Sequence, residues 1–129
     1  MKSLVLILPL LAFKVVANCD EGQSTPKARL SCLDQQLEQS QRELTSWENN
    51  LQFKLEQHVK TTGRKDSLQG FTKSRQLFQN FQEQDCRWQY QLRLPESQQA
   101  AIAYKTCQLR HVQQRIDQLK QSDFQPEKS

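Results

Sequence analysis

Leu30, Leu33, Leu37, Leu44, Leu51 and Leu55 recur at steps of three, four and seven residues, with Trp47 alongside. That spacing collects them on one face of a helix, whereas a strand would need every second position. Gln, Glu, Lys and Arg fill most of the places between them; all favour helix and none adds to a core. Thr25 suits the N-cap, and Pro26 suits the first helical position, where a missing N–H costs nothing. A first helix is therefore expected from Pro26 to about Val59. Gly63 can take the left-handed conformation that ends helices, and Asp66 or Ser67 can cap the next one.

The second helix carries Leu68, Phe71, Phe78, Phe81 and Leu92, with Trp88 and Tyr90 near its end. This clustering of aromatics predicts that the second helix supplies most of the core. Pro95 disfavours helix at Leu94 and marks the second break. A third helix carries Ala101, Tyr104, Leu109, Val112, Ile116 and Leu119 and is expected to end near Gln121. Short connections between helices give an all-α, antiparallel, up-down-up arrangement of three helices. The stripes are narrow, so a solenoid or a self-associating helical pair stays open. Trp47, Trp88 and Tyr104 fall in with the stripes and are expected in the core rather than on a partner surface.

Composition sharpens this picture. The chain has 129 residues and 22 glutamines, and its first 17 residues hold 13 of the 46 apolar ones, leaving 33 among the remaining 112, or about 29%. Residues 1–17 read as a secretory signal peptide: Met1-Lys2, an apolar run from Leu4 to Phe13, then Val15-Val16-Ala17 before the cut. The run is too short to span a hydrocarbon core of ~30 Å. Residues 18–121 then form the helical domain and 122–129 a polar tail. Losing Lys2 and Lys14 lowers the net charge from +4 to +2. Such a weak field, with basic residues scattered among acids, excludes a nucleic-acid partner. Size and composition exclude a multidomain enzyme, a multi-span membrane protein and a large β-sandwich.

Cys19, Cys32, Cys86 and Cys107 all follow the signal segment. In an oxidising compartment an even count predicts two disulfides, which a thin core needs. Three pairings are possible. Cys19–Cys32 would pin the N-terminal arm to the first helix, and Cys86–Cys107 would link the second helix to the third; a Cys32–Cys86 link would break the arrangement. The rival reading of Cys19 is a lipoprotein anchor, but Asn18 stands where a small residue is usual.

Little in the sequence points to catalysis. His58 and His111 each lack a second ligand at metal spacing, and Glu83 and Asp85, two apart on a helix, point to different faces and read as solvated charge. There is no Cys-x-x-Cys, no Gly-rich phosphate loop and no nucleophile elbow. No catalytic residue, metal or cofactor is expected.

Three motifs carry a resemblance. Cys19 and Cys32 frame the entry to a first helix with Leu33, Asp34 and Leu37; Phe78 and Phe81 precede Cys86; and Tyr104, Cys107, Arg115 and Leu119 follow in a Tyr-x-x-Cys segment. Over residues 19–120 the chain resembles the LprI-type lysozyme-inhibitor family, small exported bacterial proteins. Gln82 stands where that family has Arg, and Val112 where it has Thr. The resemblance implies an all-helical fold, a Cys86–Cys107 bridge and a protein partner, lysozyme, in the bacterial envelope. Lysozymes use two carboxyl groups flanking a glycosidic bond. The basic loop of Lys60, Arg64 and Lys65 is the candidate surface to meet them. A basic lysozyme gains no long-range attraction to a +2 partner, however. The alternatives are a non-inhibitory periplasmic adaptor domain and an immunity protein against an exported toxin.

Overall fold

A computed structural model describes Cys19 and residues 25–122. The expected signal peptide and nearly all of the expected tail lie outside these residues. Helix α1 spans Pro26–Thr62, α2 Asp66–Leu92 and α3 Ser97–Lys120. The described residues contain no strand.

The punctuation behaves as its chemistry dictates. Thr25 is extended, and its hydroxyl accepts from the Ala28 N–H, one of the donors left free at a helix start. Pro26 follows as the first helical residue. Gly63 has φ 74° and donates its N–H to the Val59 carbonyl, closing α1 three residues later than expected. The start of α2 differs from expectation. Lys65 occupies the cap with no side-chain hydrogen bond, and Asp66 is already helical. Its carboxylate there faces the positive end of the helix dipole instead of capping it.

Cross-helix pairs fix the direction of each helix. Asp34 pairs with Lys105 and Glu43 with Lys120, so α1 and α3 run parallel. Ser74 meets Arg115 and Cys86 meets Cys107, so α2 runs against α3. The result is the up-down-up arrangement, stapled by Cys19–Cys32 and Cys86–Cys107. Lipidation would need the Cys19 sulfur, which is committed to Cys32.

The core does not come from α2. Only Gln82 and Cys86 are buried there, whereas α3 buries Ala100, Ile102, Cys107, Leu109, Val112, Ile116 and Leu119. The reason is position: α3 lies between the other two helices and must be apolar on two sides. Leu44 and Leu51 of α1 join Val112, Ile116 and Leu119 in one cluster, with Phe71 and Phe78 of α2 packed at its edge. A second cluster joins Cys19 and Leu33 to Ile102 and Leu109. Each large aliphatic side chain buried this way stabilises the fold by roughly 1.5–3 kcal/mol.

One ion pair joins α1 to α2 inside this packing. Glu48 is buried, and Arg75 donates to its carboxylate at 3.1 Å and to Gln52 Oε1 at 2.7 Å.

Candidate functional site

Three surfaces or clusters concentrate chemistry. The first is the turn between α1 and α2. Lys60, in the last turn of α1 rather than in the loop, and Arg64 and Lys65 are all exposed there, and a Cβ built on Gly63 would meet nothing within 4 Å. Leu119, at the end of α3, packs in one cluster with Leu51. Gly63 is twelve residues further along α1, roughly 18 Å at the helical rise. The basic residues therefore ride on a two-helix projection past the end of α3.

The second is the outward face of α2. Leu77, Phe81, Trp88 and Leu92 are 57, 56, 53 and 70% exposed. Their spacing of four, seven and four puts them in one row. Phe81 and Trp88 were expected to help form the core and do not. Among the other aromatics expected in the core, Phe71 and Phe78 are half-buried at the edge of the first cluster, Trp47 is half-buried with Lys120 Nζ 5.8 Å above its ring, and Tyr104 is half-buried edge-on to Tyr90.

The third cluster surrounds the Cys86–Cys107 disulfide. His111 Nε2 lies 2.6 Å from Asp85 Oδ2, and Trp88 Nε1 donates to Asp85 Oδ1 at 3.1 Å. The hydrogen bond from His111, and then that from Trp88, hold the Asp85 carboxyl below its usual range, against the opposing effect of burial. Gln89 Nε2 lies 3.3 Å from Cys107 Sγ, and Phe81 meets the His111 ring edge-on at 5.2 Å. The sequence treated Asp85 as solvated charge and His111 as a lone surface residue, and the structure corrects both. The pairing joins residues 26 apart on two helices, so no local spacing could show it. In the disulfide form the two sulfurs are bonded to each other and do not offer the thiolates that metals bind.

The positions expected from the resemblance, Phe78, Phe81, Tyr104, Arg115 and Leu119, lie on α2 and α3. Arg115 donates to Ser74 Oγ at 2.8 Å and lies 5.6 Å above the Phe78 ring. Leu119 is buried, while Phe81 stays largely exposed. Both positions where the sequence resemblance expects a different residue are buried. Buried Gln82 donates to the Gln108 carbonyl at 3.2 Å, and Val112 is fully buried.

Among the described residues no helix is long and apolar enough to cross a membrane. Comparisons with curated proteins and with solved structures gave no match. A family model described as "Lysozyme inhibitor LprI" matches residues 19–119, a stretch that takes in both disulfides and nearly all of the three helices. The chain belongs to the LprI lysozyme-inhibitor family.

Proposed function

We propose that this chain is an exported protein-binding domain that inhibits lysozyme by occluding its cleft. The observation that carries the reading is the projecting α1–α2 turn with Lys60, Arg64 and Lys65 exposed on it. A narrow basic projection can enter a cleft whose floor carries two carboxyl groups, and contact at short range does not need a large net charge. The family's description supports lysozyme as the target. The apolar segment at residues 4–13 and the two disulfides support the periplasm or the exterior as its place of work.

The test is turbidimetric lysis of cell walls by purified lysozymes of several types. The intact protein is expected to slow lysis at micromolar concentration. Replacing Lys60, Arg64 and Lys65 together by Ala is expected to abolish the effect while helicity is kept. No inhibition of any type at micromolar excess overturns the reading.

The α2 row favours a second reading, an envelope adaptor that docks another protein through apolar contact. In the same assay Phe81→Ala with Trp88→Ala separates the two. If these changes remove inhibition and the loop changes do not, the row is the binding surface.

A further inference from the structure

We propose that the dithiol form of this chain holds a divalent cation of the zinc class between α2 and α3, and that metal and disulfide exclude each other there. The ligands are the Cys86 and Cys107 thiolates, the His111 imidazole and the Asp85 carboxylate. Their ligand atoms lie within 4.8 Å of one another.

The four residues reach this point as two local pairs. Asp85 and Cys86 are neighbours at one level of α2, and Cys107 and His111 sit one turn apart on the same side of α3. Two sulfurs, a nitrogen and a carboxylate oxygen form a tetrahedral set that suits zinc. In such a site the ligand atoms stand roughly 3.3–3.8 Å apart. Cys107 Sγ and Asp85 Oδ2 are already 3.8 Å apart. His111 and Asp85 are closer, and the cation takes the place of their direct hydrogen bond. With Cα atoms 5.5 Å apart, rotation about the two cysteine Cα–Cβ bonds can part the sulfurs without moving either helix.

The surroundings are those of a supported site. Trp88 Nε1 already orients Asp85, Gln89 Nε2 already faces Cys107 Sγ, and the Phe81 ring bounds His111. Outer partners of this kind fix ligand orientation and tune the metal. Cys86 and Cys107 are buried, while Asp85 and His111 keep an exposed edge by which an ion enters. Two thiolates in this dry seam need a cation to offset their charge.

Loading requires a two-electron reductant, either a dithiol that closes to its own disulfide or a phosphine that takes oxygen from water and becomes its oxide. Two electrons cleave the Cys86–Cys107 bond, and each sulfur leaves as a thiol with one proton, supplied by the dithiol or by that water. The cation then displaces those two protons to solvent.

The test uses the full chain carrying Cys19→Ser and Cys32→Ser, reduced with a phosphine and titrated with Co2+ alone. Thiolate-to-cobalt charge-transfer bands and tetrahedral d–d bands are expected at one equivalent, lost on adding Zn2+ and absent from the oxidised chain. His111→Ala and Asp85→Asn are each expected to weaken Co2+ binding by about tenfold or more. Far-UV circular dichroism runs alongside. If reduction unfolds the chain, Co2+ is expected to restore helicity together with the bands. Failure of the bands to appear, with or without helicity, overturns the proposal, as does binding that His111→Ala leaves unchanged.

Discussion

His111 Nε2 lies 2.6 Å from Asp85 Oδ2 and ties α3 to α2 beside the Cys86–Cys107 disulfide. The Asp85 carboxyl titrates below the ordinary carboxylate range, chiefly through this hydrogen bond and the one from Trp88, with a smaller attraction from Arg110. A carboxyl whose folded pKa is depressed stabilises the fold above its unfolded value. That stability is lost as pH falls through the lowered folded value. In the disulfide form, Asp85→Asn is therefore expected to be less stable than the parent near neutral pH. The gap should close as the pH falls below the ordinary carboxylate range and Asp85 takes up its proton in the folded chain. Urea midpoints across that range check it, and a gap of constant size would refute it.

Packing around α3 gives a second expectation. Ile116→Ala empties a site between α1 and α2 that is 4% exposed, and should cost roughly 2–5 kcal/mol. Phe81→Ala removes a larger side chain from an exposed place and should cost about 1 kcal/mol or less. Chemical denaturation of both variants compares them directly. The reverse order would restore the view that α2 supplies the core.

Glu48 and Arg75 make a buried contact whose halves are not independent. Arg75→Met strands a buried carboxylate and should cost on the order of 3 kcal/mol. Adding Glu48→Met removes that stranded charge and should recover most of the loss. Urea denaturation of the two single variants and the double variant measures the coupling.

Removing the Cys86–Cys107 bridge by Cys→Ser at both positions opens a loop of 21 residues. The chain-entropy relation puts the loss at about 3 kcal/mol. Thermal melts of oxidised parent and variant, both with Cys19–Cys32 intact, check it.

Gly63→Ala tests a purely conformational cost. Its Cβ meets nothing within 4 Å, but φ 74° is a region that L side chains seldom adopt. A loss of about 1 kcal/mol is expected, read as a lower melting temperature with unchanged helicity at 20 °C or so.

Much of the helical framework was legible because it depends on neighbours in sequence. Thr25 and Pro26 start α1, Gly63 ends it, and the Leu94-Pro95 pair falls in the second break. Each works through backbone chemistry that a few adjacent residues decide. The cysteine pairing needed more: parity allowed three answers, and the family resemblance favoured the Cys86–Cys107 bridge. Gln82 shows the limit of that resemblance, since its burial was not visible from its identity, whereas Val112 already lay in the apolar stripe of α3.

The sequence by itself determined that there are three helices, where they break and which face of each is apolar, because periodicity and capping are local. It could not determine which helix lies in the middle. A single apolar stripe looks the same whether one neighbour covers it or none does, so the aromatics of α2 suggested a core to which only Phe71 and Phe78 add an edge. Only tertiary structure decided that α3 is covered on two sides and that Phe81 and Trp88 face outward. It also brought Asp85, His111 and a disulfide to one point. Both outcomes depend on how helices roll about their own axes when they pack, which is set by contacts between residues far apart in the chain.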